Sequence, residues 1–157
     1  MLWMGQEKQL DNEEKSLSFS QGVIDMMPLS ISVLPWGILA GSVAIQAGLS
    51  VSQAIAMSAI VFAGAAQLVS LGMVMSGASA ITIFFTIFLI TSQHFIYALT
   101  LRQNIAPLSL KDRLPLGFLL TDELFAVAIS KLDRNKKYLL GAGLSFYIAW
   151  VLFSVFS

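Results

Sequence analysis

Cysteine is absent from the chain and histidine occurs once. The first absence excludes disulfides, thiolate metal sites and cysteine nucleophiles. The second leaves His94 as the one imidazole ligand for a transition metal, so no metal and no other cofactor is expected. Charge is scarce too. The 76 residues from Met26 to Leu101 hold no Lys, Arg, Asp or Glu, and charged residues make up 11% of the chain, against roughly 25% in soluble domains. With a formal net charge of zero and no basic run interleaved with aromatics, nothing points to a nucleic-acid partner.

What is there is grease: 57% hydrophobic residues and a mean hydropathy of +0.80. The uncharged stretch alone is long enough to span a hydrocarbon core about three times at ~20 residues per crossing. The chain reads as an integral membrane protein in contact with a lipid bilayer. Residues 1–22, with Glu7, Asp11, Glu13 and Glu14 and two lysines, lack the short apolar core of a cleaved signal and read as a polar N-terminal tail. Residues 23–157 read as the transmembrane domain. That domain ends at Ser157 inside an apolar stretch, without a polar flank, so it is expected to be incomplete at the C-terminus.

Polar breaks divide the chain into Val23 to Ala47, Val51 to Ser76, Ser79 to Leu101, Leu114 to Ser130 and Tyr138 to Ser157. The expected fold is all-α, a polytopic membrane helical bundle of about five hydrophobic segments, the first broken near Pro35. No internal repeat stands out. Simple alternation puts six basic residues on one side and three on the other, which favours a cytoplasmic N-terminus. If the short fourth segment dips in and returns, that assignment reverses.

Thr121, Asp122 and Glu123 lie in the middle of the fourth segment. A central acid costs about 2.5–3.5 kcal/mol and each large apolar residue returns about 0.3–0.6, so two acids offset eight or nine hydrophobes. Such a segment persists only if its acids face a protein interior or a wet cavity. A carboxyl sheltered from water holds a proton more readily, which suits proton coupling. The plainer alternative is a surface loop in which both acids cap a helix that starts after Thr121.

In the third segment Thr82, Thr86, Gln93, Tyr97 and Thr100 form a polar stripe, which facing lipid would be left unsatisfied. His94 beside it either carries a proton or bonds a neighbouring carbonyl. Pro28 and Pro35 interrupt the first segment, and Pro35-Trp36-Gly37 invites a discontinuous helix whose free backbone dipoles bind a substrate carboxylate or amino group, or else a packing kink. Gly37, Gly41, Ala44 and Gly48 form a small-residue groove suited to close helix packing. Gln67, the one strongly polar residue on its face of the second segment, needs a partner: a neighbouring helix or a substrate.

Several strings in order resemble the AzlC family, the large subunits of bacterial branched-chain amino acid exporters. They are Asp25-Met-Met-Pro28, Phe62-Ala-Gly64-Ala-Ala-Gln67, His94-Phe-Ile-Tyr97 and Leu120-Thr-Asp-Glu123-Leu-Phe-Ala126. The match runs from about Phe19 to the end. The family usually has Arg-His where this chain has Gln93-His94, and Gly where it has Ala98. The resemblance implies a transporter of the bacterial inner membrane that exports apolar amino acids, driven by an ion gradient and assisted by a small AzlD-type membrane subunit. Asp122, Glu123 and His94 would then handle protons, and Gln67, Tyr97, Pro35, Gly37, Gln93 and Thr121 would bind substrate. An intramembrane hydrolase is the competing reading. It lacks a His-Glu-x-x-His pair and a Gly-x-Ser-x-Gly elbow. A non-transporting assembly subunit is the third.

Overall fold

The computed structural model describes residues 18–130 and 135–156; most of the polar tail, with Lys8 and Lys15, and Lys131 and Arg134 in the fourth loop, lie outside them. Every element among the described residues is helical. The longest, α10 (Lys136–Val155), has 20 residues and so runs about 30 Å, the thickness of a hydrocarbon core.

Alongside it runs one broken span made of α1 (Phe19–Ser32) and α2 (Leu34–Gln46), bent by 56°. The break falls at Val33, just ahead of Pro35, whose missing N–H costs nothing in the first turn of a helix. Both halves run in the same direction as α10: Gly22 sits on the backbone of Tyr138 and Ala142, and Gly37 on Phe153. A Cβ at Gly37 would come within 2.7 Å of the Phe153 Cβ, so the small-residue groove packs a helix at that end, while Gly48 at the other end serves a turn at φ +89°. Tyr138, fully buried, donates its hydroxyl to Asp25 at 2.8 Å and ties the two elements together.

The second segment does not cross. Its arms, α3 (Val51–Val61) and α4 (Gly64–Met75), meet at Phe62 and Ala63. Gln67 Nε2 donates to Ser58 Oγ at 2.9 Å, whereas nine residues of straight helix would separate those positions by about 13 Å. Ala54 and Leu71 share a cluster with Ala44 near the end of α2. The arms are therefore antiparallel, a hairpin that enters and leaves on one face.

From that face α5 (Ala80–Thr91) and α6 (Gln93–Thr100) form a 21-residue span, none of whose most apolar window is buried in protein. The expected polar stripe largely satisfies itself: Thr82 bonds Ser79, and Thr100 donates to the carbonyl of Ile96 four residues back. Gln93 and Tyr97 are stripe residues that reach another element, both through hydrogen bonds to Asp122.

After the short α7 (Arg102–Ile105), α8 (Leu110–Phe118) and α9 (Asp122–Ile129) make a second hairpin. Lys136 Nζ lies 2.7 Å from Asp112, and the space above Gly143 is filled by Leu119 and Leu124. So α8 climbs beside the first turns of α10 and α9 comes back down. The five expected hydrophobic segments are thus present, arranged as up to three spans and two hairpins of shorter helices. Among the described residues Arg102, Lys111, Arg113, Lys136 and Lys137 all fall towards the face where α1 and α10 begin.

The two hairpin tips meet halfway along α10. Phe62 packs against Phe118 (ring centroids 5.8 Å apart), Phe146 (6.0 Å) and Tyr147 (4.9 Å). These rings hold Phe62 at φ +41°, a left-handed backbone that costs a bulky residue on the order of 1–2 kcal/mol.

Candidate functional site

Four helix breaks converge on one cavity of about 280 Å³, near the lower bound for small-molecule pockets. Val33 comes from the first break and Ala63 and Gly64 from the second. Thr91, Gln93 and His94 come from the kink of the third segment, and Thr121, Asp122 and Glu123 from the tip of the fourth. Trp36, Phe62, Phe146 and Trp150 supply an apolar wall.

The fourth segment departs from the expected continuous helix. Thr121, buried, accepts a hydrogen bond from the Leu124 N–H and starts α9, so both acids stand in its first turn. That is the capping alternative of the sequence reading, moved from a surface loop to the cavity wall. A helix N-terminus favours carboxylates there. Gln93 Nε2 donates to both oxygens of Asp122, at 3.0 and 3.3 Å. His94 Nδ1 donates to the Thr91 carbonyl at 2.9 Å, which leaves Nε2 free of that bond. Its ring lies close enough to Glu123 for their charges to interact. His94 thus bonds a neighbouring carbonyl and also lines the cavity.

The second tip offers the opposite polarity. Ala63 gives α4 no side-chain cap, so the N–H groups of Gly64, Ala65 and Ala66 begin a 12-residue helix at the cavity wall without side-chain acceptors. Glycine is required at 64: a Cβ would approach the Trp150 ring to 2.8 Å. Trp150 is 2% exposed, and its indole N–H has no partner among the described residues.

Of the residues the sequence singled out, Asp122, Glu123, His94, Gln93 and Thr121 line the cavity. Four others stand outside its wall. Gln67 is fully buried and bonded to Ser58. Tyr97 stacks on Phe125 with ring centroids 4.2 Å apart. Pro35 sets the break and Gly37 packs on Phe153. Sequence reasoning missed Trp36, Phe62 and Trp150, which among other greasy residues carry no signal of their own. Gly64 was the one hint of the second break. Among the described residues no cluster of three His, Cys, Asp or Glu side chains suits a metal.

A multi-pass membrane protein with interrupted helices around a cavity of apolar wall and polar tips, beside the middle of α10, is the class that fold and site define. The chain belongs to the AzlC family, whose model, described as AzlC protein, matches residues 28–157. It is 32% identical over 146 residues to the Inner membrane protein YgaZ of Escherichia coli (strain K12), covering 89% of this chain and 60% of that protein. It is 35% identical over 139 residues to an uncharacterized membrane protein of Archaeoglobus fulgidus, covering 87% and 60%. The chain thus spans about three-fifths of the length of these relatives. No solved structure matches. Family and apolar spans place it in the inner (plasma) membrane.

Proposed function

We propose that the protein exports branched-chain or similar apolar amino acids, coupled to protons and working with a small AzlD-type membrane subunit. The observation that carries this reading is the polarity of the cavity. Two carboxylates line it from one hairpin tip, the uncapped start of α4 lines it from the other, and apolar rings fill the wall. That arrangement complements a zwitterion with a greasy side chain: ammonium towards Asp122 and Glu123, carboxylate towards Gly64, Ala65 and Ala66, side chain against Trp36 and Phe146.

Asp122, Glu123 and His94 are the groups at hand to exchange protons with the substrate's ammonium. The positive-inside rule assigns the face bearing the basic residues to the cytoplasm, so substrate enters there and leaves at the face of Ala47. The test is counterflow of radiolabelled valine, leucine and methionine in proteoliposomes, with and without a co-expressed small subunit. The account expects exchange that responds to a pH gradient and vanishes in Asp122→Asn with Glu123→Gln. Exchange of unaltered rate in that double variant refutes the proton role.

A further inference from the structure

The two hairpins suggest more than a shared shape. The helix N-caps pair up along the chain: Ser18 with Ser79, Val33 with Ser92, Ser50 with Ser109, and Ala63 with Thr121. The separations are 61, 59, 59 and 58 residues. Between the second and third caps the same offset aligns Ala47-Gly-Leu-Ser50 with Ala106-Pro-Leu-Ser109. Each stretch is a span interrupted at its middle and followed by a hairpin, the first bent by 56° at Val33 and the second carried through a turn at Ser92 as one 21-residue helix, and in each the second half of the span lies beside the returning arm of the hairpin. In the first, Ala44 of α2 clusters with Leu71 of α4. In the second, Gln93 and Tyr97 of α6 meet Asp122 and Phe125 of α9. The first stretch enters from the basic face and the second from the other.

We infer that residues 18–75 and 79–129 are two copies of one unit inserted in opposite directions, and that their hairpins are the two gates of the cavity, one for each face of the membrane. Inverted units of this kind place the site on the axis that relates them, and the cavity lies where all four internal breaks meet. The copies differ in a way that matters. The backbones of α2 and α4 pack directly, whereas α6 and α9 meet through long side chains, a hydrogen bond and a ring stack. The first gate is therefore shut towards the face of Ala47, and the second, towards the basic face, is latched by Gln93–Asp122 and Tyr97–Phe125. Exchange of these two arrangements between the copies exposes the cavity to the opposite face.

The inference rests on the transport reading for its purpose but not for its test. The chain has no cysteine, so paired thiols report cleanly. Ala44→Cys with Leu71→Cys, joined by a short bifunctional reagent, holds the first gate shut; Tyr97→Cys with Phe125→Cys holds the second. A third thiol, Ala65→Cys, reports on the cavity and lies about 9 Å along α4 from Leu71, beyond a short linker. In oriented vesicles a membrane-impermeant thiol reagent should label it only from the basic face under the first lock and only from the opposite face under the second, each restriction lifting when a cleavable linker is cut. Labelling from both faces under either lock, or from the same face under both, overturns the inference. If labelling follows the locks while no amino acid moves, the gates stand and the substrate assignment falls.

Discussion

Adding one methyl group at Gly64 tests the junction of the first hairpin tip with α10. An alanine Cβ there would lie 2.8 Å from Trp150 Cη2, where carbon atoms rest at about 3.5–4.0 Å. Either the ring or the tip must yield by roughly 0.7 Å or more. The ring is 2% exposed, and the tip is pinned by Phe62 among Phe118, Phe146 and Tyr147. Overpacking of this kind costs about 1–3 kcal/mol, and because the displaced tip carries the N–H groups at the cavity wall, exchange should slow as well. Trp150→Phe alone opens a void and destabilises. Combined, the two changes fit each other, and a double-mutant cycle should show a favourable coupling on the order of 1–2 kcal/mol. Heating in detergent with the folded fraction counted by size exclusion measures it. Strictly additive effects, or a neutral Gly64→Ala, refute the packing argument.

Gln93→Leu removes the one amide nitrogen that donates to both Asp122 oxygens; the bond is exposed, so the loss predicts about 0.5–1.5 kcal/mol in the same thermal assay. Tyr138→Phe deletes the hydroxyl that joins α10 to Asp25 and should cost about 1–3 kcal/mol by the same readout. Asp112 is solvated, and the Lys136 ammonium holds its carboxyl below the usual range. A lowered carboxyl contributes stability above its ordinary pKa and loses it as pH falls through the folded value. Asp112→Asn should therefore lower stability by a constant amount between pH 6 and 8, small because exposed pairs contribute little, and the difference from the parent should disappear in acid as the parent's own carboxyl is protonated.

The five apolar segments and the break near Pro35 were legible because hydrophobic runs and a proline inside them act through local physics. The dipping of the short fourth segment stood as an alternative in the sequence, but that of the second did not. An apolar run of some 25 residues has the length of a crossing whichever way it turns, and the turn at Phe62 contains no proline and has only Gly64 beside it. The relation between the two copies is equally faint in residues, since the repeated backbone is filled by Gly64-Ala-Ala-Gln in one and Asp122-Glu-Leu-Phe in the other.

For the site, Asp122 and Glu123 announced themselves by what they cost in a membrane. Gln67 carried the same signal but spends its donor on Ser58 inside its own hairpin. The sequence could not separate a polar residue that braces a tip from one that faces the cavity. Phe62 and Trp150 were hidden for the converse reason: their roles depend on contacts from other elements.

The meeting of two oppositely inserted hairpin tips is the claim on which the rest depends, and a cross-link between them tests it most directly. In native membranes, thiols replacing Phe62 and Phe118, whose rings lie 5.8 Å apart, should join with a short linker as readily as thiols replacing Ser58 and Gln67 within one hairpin. Joining of the second pair without the first would contradict the account.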